Sequence, residues 1–131
     1  TIAEVAIDDD GVLAFAIEGA CPEVSASEPA VAILREIWTP IGVRVWQRAE
    51  YAYDLIDHPA HRRRAWHMHA VDQARSVLGS AAHEHCEEEL GLPACDHYRG
   101  YELSSVHEGI ALIDAAWSEP GPLGCATLVC L

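Results

Sequence analysis

The chain has 131 residues, half of them hydrophobic, and a formal net charge of −13. That length and hydrophobic content suit one domain, residues 1–131, with a real core, and exclude general disorder. It contains no Lys, so all eight basic charges are Arg, which rules out Schiff-base chemistry, a phosphate-loop lysine and a lysine general base. The negative field disfavours nucleic-acid backbones, against which Arg62–Arg63–Arg64 is the one basic run. No apolar run approaches the roughly 18 residues of a membrane span. Residues 1–11 carry Glu4, Asp8, Asp9 and Asp10 and do not read as a secretory signal. The expectation is a soluble, cytoplasmic, non-membrane protein. The five cysteines, an odd number, argue against a disulfide framework and for thiols serving as core groups, metal ligands or nucleophiles.

In chain order, residues 2–7 alternate with Ala3, Val5 and Ile7 on one face, and residues 12–17 alternate with Leu13, Phe15 and Ile17 together. Asp10–Gly11 between them is a hairpin turn signal. Gly19 to Glu28 reads as a loop. Ala30, Ile33, Leu34, Ile37 and Trp38 recur at helical spacing after Ser27 and Pro29, which favours a short helix over a strand and ends it at Thr39–Pro40. Residues 43–57 and 62–71 read as extended, with Asp57–His58–Pro59 as a turn between them.

The parity of this second hairpin follows from its large side chains. Tyr51, Tyr53 and Leu55 share one face of its first strand, and Trp66 and Met68 share one face of its second. Pointing these to the core leaves Glu50, Asp54, Arg63, His67 and His69 together on the other face. Residues 72–90 fit either a helical stripe or a loop followed by a strand over 82–87, with the strand slightly preferred because of Gly79 and Ser80. Gly91 to Asp96 reads as a loop. Ser105–Val106–His107–Glu108 is a capping box that opens a helix with Ile110, Ile113, Ala116 and Trp117 toward the core. Residues 118–124 break it, and 125–131 read as a last short strand. The fold expected is α+β: a small antiparallel sheet of two hairpins with one or two helices packed on one face.

The chemistry is concentrated between His67 and His97. That stretch holds His67, His69, His83, His85, Cys86, Cys95 and His97, interleaved with Glu84, Glu87, Glu88, Glu89 and Asp96. A His-x-His pair on a strand presents both imidazoles to one side. Zinc accepts such N and S donors in a tetrahedron. One set is His67, His69, His83 and His85, and another uses Cys86, Cys95 and His97. The spacing matches no paired CxxC signature. A metal-free site is also open: Glu50 or Asp54 paired with His67 or His69 makes a general acid–base couple. The plain alternative is a solvated polar sheet face, whose carboxylates stabilise imidazolium and make the protein pH-responsive below about pH 7.

The order of a Tyr-x-Tyr strand (Tyr51, Tyr53), a turn, an Arg-rich strand (Arg62–Arg64), His-x-His (His67, His69), a second His-x-His (His83, His85) and a helix resembles the TumE-like toxin family of toxin–antitoxin systems. The resemblance covers residues 43–117. The N-terminal hairpin and the Cys86/Cys95 pair lie outside its pattern, and the large negative charge departs from what a toxin acting on RNA would carry. It implies a small toxin or stress-linked protein held by a cognate partner, with the histidine face as its working surface. Two functions therefore stand side by side. One is hydrolytic or acid–base chemistry by the histidine and carboxylate face, with or without zinc. The other is a non-enzymatic partner-binding or regulatory domain, a homodimer or a component held by a cognate partner, using an exposed strand such as 43–48.

Overall fold

A computed structural model describes residues 2–20, 29–69, 81–87, 89–91, 95–98 and 101–118. Seven strands lie within them: β1 (Ile2–Ile7), β2 (Leu13–Ala20), β3 (Val31–Gly42), β4 (Val45–Asp57), β5 (Arg62–Met68), β6 (Ala82–Glu87) and β7 (Cys95–Tyr98). One helix, α1 (Val106–Ser118), follows. The strands form a single antiparallel sheet in chain order. The class is β-rich α+β, but the two separate hairpins expected from the sequence are parts of one continuous meander. The expected strand at 125–131 lies outside the described residues, as do residues 70–80. Residues 82–87 form the preferred strand, and Cys95–Tyr98, which read partly as loop, form β7.

The main correction is β3, since residues 31–38 form a strand and not a helix. Ile33, Leu34, Ile37 and Trp38 satisfy both periodicities when read locally. β-Branched and aromatic residues favour the pleated backbone, and strands on both sides supply ladder partners that a helix would forgo. Leu34 pairs with Ile17 on β2 and with Tyr53 on β4. Thr39–Pro40 does not end the element. Pro40 still lies opposite Trp46, beside a register shift that accommodates it. The first turn is held by Asp8, whose Oδ1 accepts from the amides of Asp10 at 3.0 Å and Val12 at 2.9 Å.

The register then assigns the two faces. Tyr51 lies opposite Met68, Tyr53 opposite Trp66, and Leu55 opposite Arg64. Leu34, Tyr51, Tyr53, Leu55, Trp66, Met68 and Ala82 form a buried cluster with Leu103 and Ile113. Helix α1 joins this face through Val106, Leu112, Ile113, Ala116 and Trp117. Ile110, expected to point inward, is exposed. Gly109 takes the inward position instead, because a Cβ there would fall 2.3 Å from the Tyr53 ring. Only a glycine permits that approach. The carboxylate of Glu108 accepts from the Ser104 amide at 2.7 Å, one residue before the position a regular capping box uses.

A polar network ties the segment before α1 to the sheet. Glu36 is buried and accepts from Tyr53 Oη, from Trp38 Nε1 at 2.8 Å and from Arg48 Nη1 at 3.1 Å. Arg48 Nη2 donates to the Leu103 carbonyl, and the Leu103 amide donates to Tyr51 Oη at 3.1 Å. Burial, with Glu36 beside it, pushes the Tyr53 phenol far up, so it stays a donor.

Candidate metal centre

The face opposite α1 is built by alternation. With Tyr51, Tyr53, Trp66 and Met68 turned to the core, Glu50, Ala52 and Asp54 on β4 and Arg63, Ala65 and His67 on β5 turn the other way. On β6, His83 lies opposite His67, His85 opposite Ala65, and Glu87 opposite Arg63. His69 follows the end of β5, and its amide meets the Ala81 carbonyl at 3.4 Å. The two His-x-His pairs thus lie on adjacent strands in matching register, although 13 residues separate His69 from His83.

The four rings form a compact patch. His67 lies 5.1 Å from His69, 5.7 Å from His83 and 4.7 Å from His85, centroid to centroid. His69 is 5.4 Å from His83, and His83 is 4.7 Å from His85. One ring nitrogen from each of His67, His69 and His83 falls within 4.8 Å of the others. Nitrogens around tetrahedral zinc sit roughly 3.4 Å apart, for bonds of about 2.1 Å. Rotation of these side chains by about an ångström closes the difference.

Two of the three rings are oriented from behind. His83 Nδ1 lies 3.0 Å from the Ala81 carbonyl. A carbonyl only accepts, so this nitrogen carries the proton and the ring lone pair belongs to Nε2. His67 Nε2 faces Asp54 Oδ2 at 3.3 Å. Asp54 Oδ1 in turn accepts from Arg63 Nε at 2.9 Å and from Arg63 Nη2, while Arg63 Nη1 donates to Glu87 at 2.6 Å. Burial raises the Asp54 carboxyl, but the hydrogen bonds and charges of His67 and Arg63 outweigh it and hold Asp54 below the usual carboxylate range. His69 is also shifted down, which for an imidazole favours the neutral form. Burial first, then His67 and His83, lower it against the opposing pull of Glu50 and Asp54. A neutral ring is the form that binds metal. Carboxylate and carbonyl groups behind metal-binding histidines are a recurrent device for fixing ring tautomer and basicity.

A cleft of about 160 Å³ opens beside His69, lined by Arg35, Ile37, Glu50 and Ala52 among others. Glu50 makes no hydrogen bond or ion pair among the described residues. It sits opposite Ile37, next to the register shift between Ile37 and Trp38. Bulges of this kind re-aim neighbouring side chains.

Of the residues expected from sequence, His67, His69 and His83 bring one ring nitrogen each within 4.8 Å of the others. His85 stands on the same face, in ring contact with two of them, but outside that set. Cys86 alternates to the other face and is disulfide-bonded. It therefore offers no thiolate, which corrects the expectation of a reduced cysteine there. Such bonds persist in oxidising surroundings rather than in a reducing cytoplasm. Cys95 and His97 occupy register positions opposite Cys86 and Glu84, out of phase with His83 and His85. Of the carboxylate–histidine pairs, Asp54 engages His67 directly, while Glu50 and His69 share the cleft.

Arg62, Arg63 and Arg64 are each held by the chain's own carboxylates: Arg62 by Asp57 at 2.8 Å, Arg63 by Asp54 and Glu87, and Arg64 by Glu84. Arg35 and Ala52 were outside the expected set. Arg35 lies in the segment that reads as a helix, and reading that segment as a strand places Ile33, Arg35 and Ile37 on one face. Among the described residues no helix is long and apolar enough to cross a membrane. Comparison with known proteins returns no matching family model, no matching curated protein and no matching solved structure.

Proposed function

We propose that the protein is a metal-dependent hydrolase whose single ion, zinc by donor chemistry, is held by His67, His69 and His83. The observation that carries this is the convergence of three ring nitrogens within 4.8 Å, with His67 backed by Asp54 and His83 by the Ala81 carbonyl. Three protein ligands leave a tetrahedral ion one open position, the pattern of catalytic rather than structural zinc. When bound there, the ion polarises a substrate oxygen and lowers the pKa of water. The chain's own groups do the rest. Asp54 holds the proton on His67 Nε2 and orients the ring. Glu50, beside His69 and without a hydrogen-bond partner among the described residues, accepts the proton of the attacking water. The cleft beside His69 receives the substrate.

The test is zinc titration of untagged full-length protein, with His67→Gln, His83→Gln and His85→Gln variants. One equivalent should bind the parent chain. The first two variants should lose affinity by about 100-fold or more, and His85→Gln by less than about tenfold. Absence of stoichiometric binding, or equal losses in all three, would sink this reading. The partner-binding alternative has one observation in its favour. Ile41, Val43 and Val45 project at the β3–β4 turn, with Val43 92 % exposed. A partner surface there predicts self-association that Val43→Asp abolishes, as read by light scattering.

A further inference from the structure

Resting on the metal reading above, we infer that Arg35 is the anion anchor of the cleft, and that the substrate is a small molecule carrying a carboxylate or phosphate a few bonds from the group that reacts. The register sets this up. Arg35 lies opposite Ala52, Ala52 opposite His67, and His67 opposite His83, so all four stand in one row on one face. Strands are spaced about 4.8 Å apart, so Arg35 and His67 sit about 10 Å apart at the backbone. Between them is Ala52, whose methyl group leaves the space above it open. The 160 Å³ cleft fills that gap, bounded by Arg35 on one side and His69 on the other. It has room for a small organic acid but not for a folded partner.

The charge pattern supports the assignment. Arg48, Arg62, Arg63 and Arg64 all have carboxylate partners within the chain. Among the six described arginines Arg35 and Arg44 have none, and of these two Arg35 alone borders the cleft. A planar guanidinium binds carboxylate or phosphate through two parallel hydrogen bonds. Arg35 also borders a second hollow of about 250 Å³, lined by Ala6, Ala14, Phe15 and Ala16 on β1 and β2 together with Glu4. That hollow gives the part of the ligand beyond the anion an apolar floor.

The experiment uses full-length protein loaded with cobalt(II), whose visible absorption reports the ligand sphere, and three probes: malonate, inorganic phosphate and neutral malonamide. Malonate or phosphate should bind and perturb the cobalt spectrum, and malonamide should not. Arg35→Gln should weaken the binding anion by about tenfold or more, with cobalt affinity unchanged. Arg44→Gln, which removes a charge at the distant β3–β4 turn, should leave anion binding as it was. Whichever of malonate and phosphate binds more tightly names the anionic group. Cobalt binding with anion affinity equal in Arg35→Gln and the parent chain, or with no anion binding, overturns this inference and leaves the metal site standing. Absence of cobalt binding overturns the metal reading. Calorimetry on the metal-free chain then decides the anchor separately: malonate or phosphate binding lost in Arg35→Gln upholds it, and no such binding overturns it.

Discussion

Replacing Asp54 by Asn tests the orientation of His67 and the electrostatics of the whole face with one nearly isosteric change. Asp54 accepts two hydrogen bonds from Arg63 and faces His67 at 3.3 Å. Each charge-assisted bond contributes about 1.5–3 kcal/mol in general. Arg63 keeps Glu87 at 2.6 Å, and its side chain is 26 % exposed, so the variant does not strand a buried cation. The cost should therefore fall at the low end, about 2 kcal/mol, rather than the larger penalty of an orphaned charge. For a domain of this length that lowers Tm by roughly 6–10 °C at pH 7. Because Asp54 is held below its ordinary 3.8, its ionised form stabilises the fold above that pH. This contribution fades as pH falls through the folded value. The gap in Tm between parent and variant should then narrow as pH is taken below 3.8 and through the lower folded value. Zinc affinity should fall about 10–100-fold, because the proton on His67 loses its anionic acceptor. Thermal melts by circular dichroism from pH 2.5 to 7, paired with a competitive zinc titration, measure both. A variant that melts within about 1 °C of the parent at pH 7 and binds zinc equally well would refute the reasoning.

His69 is held below its ordinary 6.5, so in metal-free protein the unfolded chain takes up a proton first as pH falls below that value; stability should drop over that window, and His69→Gln should flatten the drop in melts with chelator present. Gly109→Ala places a Cβ 2.3 Å from a Tyr53 ring that Glu36 and Arg48 hold in place. Overpacking of about 1–3 kcal/mol outweighs a helix-propensity gain of about 1 kcal/mol, so Tm should fall, and a variant as stable as the parent contradicts the helix position. Cys86→Ser removes the disulfide and should cost about 2 kcal/mol in denaturant melts while zinc affinity is kept, since Cys86 is no ligand.

Much of the local structure was legible in the residues. Period-two alternation marked β1, β2, β4 and β5, and Asp10–Gly11 marked the first turn. Tyr51 and Tyr53, matched against Trp66 and Met68, set the parity that puts Glu50, Asp54, Arg63 and His67 on one face. Those inferences succeed because side-chain alternation and turn chemistry act over a few residues. What they could not decide was β3. Ile33, Leu34, Ile37 and Trp38 fit a helix or a strand alone, and only pairing with β2 and β4 on either side selects the strand. With β3 misread, Arg35 and the cleft above Ala52 were invisible. The same holds for the second His-x-His pair. His83 joins His67 because β6 pairs with β5 in a register that no local pattern encodes, and Cys86 leaves the ligand set by the same alternation. The sequence by itself determined that Glu50, Asp54, Arg63 and His67 share one face of the second hairpin. The tertiary structure decided what they meet, because strand register is set by long-range pairing and a shift of β6 by one residue would turn His83 and His85 away from His67.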